Sequence, residues 1–379
     1  MEIQKHTAES IMALIHSLPV AERVKLQGLF RETSAASTEM ESYLTEQRFS
    51  CGRVCPICGG THVQRNGRRK NGSQKFVCKD CGKSFSIRKN TVFSGTHKSL
   101  SVWSEFLNCM AEGLSLDKCA KKCGITHSTA FSWRHKILDA LGEGGKATEL
   151  YGIVEADETF LPASYKGDRK MFSSGQAGRN ARKRGGENHK QGLSDELVCV
   201  PCALDRNGNA VSKVAKLGKC STEAVTEVLG GHVNPTATLC TDGETSYRKF
   251  AKKNGNSLVQ IKGGKGTVKG IYHIQHMNAY HSNLKNILSQ FKGISSKYLN
   301  NYLVWNNEIE RRAVCLAEKA ASALRHVATA MFEETCSALT QRSALPLFII
   351  GEKSVMKQTR AYWVNRGCES MAGKAYCRC

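Results

Sequence analysis

Four cysteines constrain this chain more than any other feature: Cys55-Pro-Ile-Cys58 and Cys78-Lys-Asp-Cys81, separated by nineteen residues and followed by Gly59 and Gly82. A Cys-x-x-Cys turn brings two sulfurs to one point, and the glycine after it accepts a left-handed backbone. Two such turns predict a closed tetrahedral shell of four thiolates, the donor set of a structural Zn²⁺. A closed shell performs no chemistry and fixes the shape of what lies between. That segment reads as a hairpin with an Asn-Gly turn, and it carries Arg65, Arg68, Arg69, Lys70 and Lys75. Cations on a rigid hairpin suit phosphate contact. Cys51 lies off the spacing and is left outside the set.

Composition points the same way. The 379 residues carry 55 Lys or Arg against 33 acidic residues, a net charge of +22 that predicts an anionic partner, nucleic acid first. The excess is uneven: residues 53–89 hold ten Lys or Arg and one acid, Asp80. A hydrophobic fraction of 40% suffices for at least one sizeable core, and the length suggests two or three domains. The N-terminus lacks the features of a signal peptide, and no run approaches the roughly 18 apolar residues of a membrane span. Seventeen cysteines in such a chain argue for a reducing, cytoplasmic setting rather than a disulfide framework.

Residues 1–50 read as a helical segment, with a helix pair over 7–32 broken at Pro19 and a linker over 34–42. Residues 51–95 form the zinc ribbon. Residues 97–142 read as three helices in a helix-turn-helix arrangement: Ala120 allows close packing, Gly124 makes the turn and Thr126 caps the third helix. The polar face of that helix includes Ser128, Thr129 and His135, with Ser132, Arg134 and Lys136 as its DNA-binding candidates. Cys119 and Cys123 read as buried thiols, and residues 142–145, GEGG, as a linker.

From residue 150 strands alternate with helices, which predicts a mixed α/β domain over 149–307. Its strands are 152–157, a hairpin of 197–204 with 209–217, 237–241 and 257–262; Ser221 caps a helix over 221–229. A basic, nearly apolar-free insertion over 164–192 includes Arg182, Lys183 and Arg184, further candidates for DNA contact. Cys199-Val-Pro-Cys202 fits a thiol redox pattern, but i and i+3 on a strand face opposite ways, so both read as core thiols. Residues 308–379 form a C-terminal extension, helical over 308–339 and without period beyond 343.

Two strands end in acids. The period of two turns Glu155 and Asp157 to one face and Glu158 to the other, while Asp242 closes the run 237–240 before a turn at Gly243. The helical stretch 273–288 has an apolar face of Ile274, Met277, Leu284, Ile287 and Leu288, with Asn278 and Lys285 seven apart on one side. Two strand-end aspartates and a helical amide offer oxygen ligands to a pair of hard cations, which suits phosphoryl transfer, with Lys285 touching a phosphate. The bland alternatives are a solvated acidic turn and a surface asparagine.

The order of zinc ribbon, helix-turn-helix, VEADET, CTDGE and H-x4-N-x-Y-x3-LK resembles the bacterial insertion-sequence transposases of the DDE superfamily, in the zinc-ribbon group with an Asp-Asp-Asn/Glu-Lys signature. The resemblance spans roughly residues 15–307. It implies a multidomain enzyme whose ribonuclease-H-like domain cuts element ends and joins the 3′-hydroxyl to target DNA, using two Mg²⁺ or Mn²⁺ ions. Its catalytic positions fall on Asp157, Asp242, Asn278 and Lys285, and His273 occupies the position preceding the third ligand. An aromatic usually stands where this chain has His281. A neutral Asn278 leaves Glu155 or Glu244 as auxiliary acids. Double-stranded DNA, at element ends and target, is the implied partner, with a homo-oligomer forming on it near the nucleoid. The competing expectation is a non-catalytic zinc-ribbon regulator, which has no need of the carboxylates.

Overall fold

The computed structural model describes residues 36–50, 52–69, 73–145, 148–175, 177, 194, 196–261, 270–291, 293–310, 315–330, 332 and 335–342. The helix pair expected over 7–32 and the tail beyond 343 lie outside them. So do Lys70 and the triplet Arg182, Lys183 and Arg184.

The chain is helical from α1 (Ala36–Arg48), so the linker expected over 34–42 is corrected; Leu44 is buried, and this contact supplies what the sequence lacks in apolar period. Strands β1 (Val63–Arg68), β2 (Gln74–Cys78) and β3 (Ser84–Ser86) form an antiparallel sheet. Phe76 and Phe85 stack with centroids 5.8 Å apart in its small core. The register of β1 on β2 slips between Arg65 and Arg68, where Gly67 takes a φ of 65°.

Helices α2 (Leu100–Ala111), α3 (Leu116–Cys123) and α4 (His127–Gly145) follow. Ser99 and Ser115 accept from the third amide of their helices, Gly124 ends α3 in the left-handed region, and the Thr126 hydroxyl accepts from Thr129 N at 3.2 Å. The indoles of Trp103 and Trp133 stack 3.7 Å apart in the core, flanked edge-on by Phe93 and Phe106. The GEGG linker is also corrected. It is the last turn of α4, held helical because the preceding Leu138, Ala140 and Leu141 are buried.

The α/β part begins at β4 (Ile153–Pro162), followed by the short α5 (Arg169–Ser173), β5 (Leu197–Asp205), β6 (Ala210–Ser212) and β7 (Lys216–Leu217). Then come α6 (Thr222–Leu229), β8 (Thr238–Thr241), α7 (Thr245–Asn254), β9 (Ser257–Gln260) and α8 (Gln275–Gln290). The strand order is β6-β5-β4-β8-β9, with β7 also on β5. β4, β5 and β6 pair antiparallel, whereas β8 and β9 run parallel to β4. This mixed sheet is compatible with a ribonuclease-H-like transposase domain. Cys199 lies in the core beneath α6 and α7 and Cys202 in the core beneath α8, so the two thiols do face opposite ways.

The expected single helical run over 308–339 is broken. A 3₁₀ turn (Ser296–Tyr298) leads into α9 (Leu299–Trp305) and a π turn (Asn306–Glu310), and then come α10 (Leu316–Thr329) and α11 (Cys336–Thr340). Tyr302, Trp305, Ile309, Ala323 and Val327 share one core with Leu44, Trp103 and Trp133. A limit at 307 therefore cuts through packed structure: α10 packs on α1, α2 and α4. Replacing Trp133 with alanine is expected to cost about 3–5 kcal/mol. Because Trp103 is its stacking partner, the double variant should cost less than the sum of the two single ones in urea unfolding.

Candidate functional site

Parallel pairing of β4 with β8 sets the site. The register matches Glu155 to Cys240, so residues two further along each chain, Asp157 and Asp242, stand level: Asp157 lies midway along β4, which runs on to Pro162 past the strand end expected at 157, and Asp242 lies just beyond the end of β8. Asp242 begins the turn into α7, where its Oδ1 accepts from Glu244 N at 3.1 Å. Burial, then the charges of Asp242, Glu158 and Glu244, push the Asp157 carboxyl up to about 7. Glu158 lies on the opposite face of β4, as the strand period requires, yet burial followed by the charges of Asp242 and Glu244 raises it too to about 7. For both acids, burial and acidic neighbours outweigh the hydrogen bonds that favour the charged form, from the Glu158 amide and, at Glu158, from Tyr247.

Helix α8 supplies the facing wall. Asn278, His281 and Lys285 lie at i, i+3 and i+7, on one side of it. His281 is mostly buried, and its Nδ1 comes within 3.8 Å of Asp157 Oδ2. Burial, then the nearby Lys285, holds His281 down to about 4, so at neutral pH its imidazole is uncharged and does not neutralise Asp157. Crowded carboxylate oxygens facing an uncharged imidazole fit a hard divalent cation. Asn278 and Lys285 are exposed at the mouth of this arrangement.

Glu155 goes elsewhere. Fully buried, it turns to the start of α8, where Oε2 accepts from Met277 N at 3.0 Å, while Arg206 Nη2 and His276 Nδ1 lie 2.9 and 2.8 Å from Oε1. His273 Nδ1 is 3.4 Å from the same oxygen. Sequence reasoning missed Arg206, His276 and His281. Only the helical period could have found His281, midway between Asn278 and Lys285; Arg206 sits in a hairpin turn that announces nothing.

In the ribbon, Cys55 and Cys81 place their sulfurs 3.9 Å apart and Cys58 and Cys78 theirs 3.6 Å apart, and all four lie within 4.8 Å of one another. Zinc–sulfur bonds of about 2.3 Å put tetrahedral thiolates about 3.8 Å apart, so the set fits Zn²⁺. Gly59 and Gly82 adopt φ values of 77° and 69°, and the amides of Ile57 and Gly60 point at Cys55 and Cys58 sulfur, each at 3.4 Å. Arg65, Arg68 and Arg69 are exposed and Lys75 is half-buried.

On α4 the DNA-contact expectation is corrected at Arg134. Its guanidinium is buried, donating to Leu114 O at 2.6 Å and to Cys119 sulfur at 3.3 Å and lying over the Phe291 ring. His135 is buried beside it, between Phe131 and Tyr298. Ser132 is half-buried and accepts from Cys336 of α11, and Lys136 is half-buried. The cause is tertiary: Leu114, Cys119 and Phe291 enclose Arg134 and the C-terminal helices cover its neighbours, which leaves His127 and Ser128 exposed in the first turn of α4 and Glu143 near its other end.

Residues 149–309 match the family described as an ISXO2-like transposase domain. Over 276 residues the chain is 24% identical to an "Uncharacterized protein in transposable element ISH50" of Halobacterium salinarum, a match covering 72% of this chain and 90% of that relative. Together these similarities support a DDE transposase and a DNA-processing role. No solved structure matches the chain. Among the described residues no helix is long and apolar enough to cross a membrane.

Proton and cation compete for the same oxygens, so Mn²⁺ affinity is expected to rise by about tenfold per pH unit for each carboxyl that must ionise, levelling above about pH 7. Stability carries the matching sign. A carboxyl raised in the folded state loses stability as pH climbs from its unfolded value near 4 towards 7, and a bound cation restores it. Thermal unfolding should therefore show a larger Mn²⁺-induced rise at about pH 8 than at about pH 5.5; equal rises would remove the cation site. Zinc chelation should release the ribbon, exposing residues 52–86 to protease while the α/β sheet stays protected.

Proposed function

We propose that this protein is a DNA transposase that binds the terminal inverted repeats of an insertion sequence, cuts them by cation-dependent phosphoryl transfer and joins the 3′-hydroxyl to target DNA. The observation that carries the reading is the level pair Asp157 and Asp242, one midway along β4 and the other just past the end of β8, faced by the Asn278–His281–Lys285 side of α8. Asp157 and Asp242 would hold the cations, with Asn278 adding an amide oxygen. Bound divalent ions supply the chemistry of activating the attacking oxygen and stabilising the leaving one. His281, neutral and beside Asp157, keeps that carboxylate aimed, and Lys285 contacts a DNA phosphate.

The zinc-ordered ribbon presents Arg65, Arg68, Arg69 and Lys75, with Lys70, to the phosphate backbone. Helices α2–α4 act as a helix-turn-helix whose reading end is the first turn of α4, with Lys136 beyond it; the N-terminal residues of such a helix are those that meet base edges. The basic insertion bearing Arg182, Lys183 and Arg184 adds charge to the same partner. Two copies on paired ends would form the homo-oligomer.

With the ends of the element and Mg²⁺, the wild-type protein should cleave at 3′ ends, and Asp157→Ala should lose at least about a thousandfold in rate while still binding those ends. Because Asn278 brings no charge, Mn²⁺ should serve at least as well as Mg²⁺. Cleavage that survives Asp157→Ala would sink the site, and binding without any wild-type cleavage would leave a regulator.

A further inference from the structure

Helix α8 is weakly capped from its own sequence. Ile274 stands at its N-cap position and makes no side-chain hydrogen bond, and the neighbouring His273 Nδ1 accepts only from Gln275 N, at 3.3 Å, so the other orphan amides of the first turn must find acceptors elsewhere. One acceptor comes from across the domain: Glu155 Oε2 takes the Met277 N–H at 3.0 Å. A carboxylate there also meets the positive end of the helix dipole. Its charge is met by Arg206, whose Nη2 lies 2.9 Å from Oε1 and also donates to Ile271 O at 3.2 Å. Arg206 Nη1 lies 3.0 Å from His273 Nε2 and 2.9 Å from His276 Nδ1. The turn that carries Arg206 is itself built: buried Asp205 accepts from the amides of Asn207 and Asn209 and from the Asn209 side chain, each at 2.9 Å.

Glu155, His273 and His276 offer ligand atoms within 4.8 Å of one another, which by count alone would make a cation site. The guanidinium of Arg206 stands among those atoms, a permanent positive charge that a divalent ion would have to displace. We propose instead that Glu155 and Arg206 form a latch that caps α8 from β4 and holds its Asn278–His281–Lys285 face in register with Asp157. The lever is short. Glu155 lies two residues before Asp157 on the same face of β4, and Met277 immediately precedes Asn278, so one hydrogen bond ties the two walls of the site beside the reacting groups. Both are positioning residues, and their role here rests on the proposed cation site.

The test uses the full chain with Mn²⁺ as probe, followed by electron paramagnetic resonance, together with hydrogen exchange over residues 275–279. Glu155→Ala and Arg206→Met should each weaken Mn²⁺ binding about 10–100-fold, the range for outer-shell partners, and speed exchange at Met277. Glu155→Gln, which keeps an acceptor oxygen, and Arg206→Lys, which keeps the charge, should recover part of both. The decisive variant is Arg206→Met. If Glu155 and the histidines held a cation themselves, removing the guanidinium would tighten Mn²⁺ binding, and the latch would be wrong. Unchanged Mn²⁺ affinity and exchange in a folded protein of lower Tm would reduce the pair to a stabilising contact and overturn the proposal as well. Asp157→Ala separates the two readings: it should abolish Mn²⁺ binding and leave exchange at Met277 as in wild type. Mn²⁺ binding that survived it would refute the cation site, while exchange in the Glu155 and Arg206 variants would still decide the latch.

Discussion

The repulsion between the carboxyls of Asp157, midway along β4, and Asp242, just past the end of β8, is the constraint on which the candidate site depends. A parallel pair of strands delivers Asp157 and Asp242 to one level because their register leaves no other choice, and β5 closes the far side of β4 along its whole length. Helices on both faces then take water away, which raises the cost of the charges further. A sheet built for stability alone would have placed apolar or hydroxyl residues there. The fold bears an electrostatic penalty at its centre, and such a penalty is lifted when a cation arrives.

The other acids divide by the face they occupy. Glu155 and Asp157 share a face of β4, two residues apart, yet one is met by Arg206 and a helix amide and the other by an uncharged imidazole. Glu155 is the more deeply buried of the two, so its partners and not its exposure satisfy it. Glu155 is satisfied, and its service as a spare cation ligand would require dismantling its ion pair. Glu158, on the opposite face, and Glu244, at the head of α7, add negative charge to Asp242. They deepen the field that a cation would relieve.

What could be read from sequence followed the range of the physics involved. The convergence of four sulfurs depends on turns of four residues, so Cys55, Cys58, Cys78 and Cys81 were legible, down to the left-handed Gly59 and Gly82. The caps Thr126 and Ser221 and the stop at Gly124 are equally local. The strand period sorted Glu155 and Asp157 from Glu158 but could not tell that Arg206 would meet one of them. Arg134 failed for the same reason. An arginine on a polar-looking helix face reads as exposed until Phe291 and Tyr302, more than 150 positions away, are packed beside it. The linkers expected over 34–42 and 142–145 are helical over 36–42 and 142–145 because tertiary burial overrides weak propensity.

One short element joins the two halves. Helix α9 is only seven residues long, yet Leu299 and Leu303, four apart, enter the core beneath α8, while Tyr302 and Trp305, three apart, enter the core around Trp103 and Trp133. Its polar positions do the same work. Asn300 Oδ1 accepts from Val214 N at 2.8 Å at the break between β6 and β7, and the Asn301 amide donates to Asp139 of α4 at 2.8 Å. Arg342, beyond α11, ties Asp139 and Asn301 together. A helix with each face in a different core cannot rotate to suit one without disturbing the other, because packed interiors resist gradual deformation. The helices that precede the sheet are therefore held at a fixed offset from Asp157. Under the proposed function, in which DNA is read at one end of α4 and cut beside Asp157, that offset would set the distance from the bases read to the phosphate attacked.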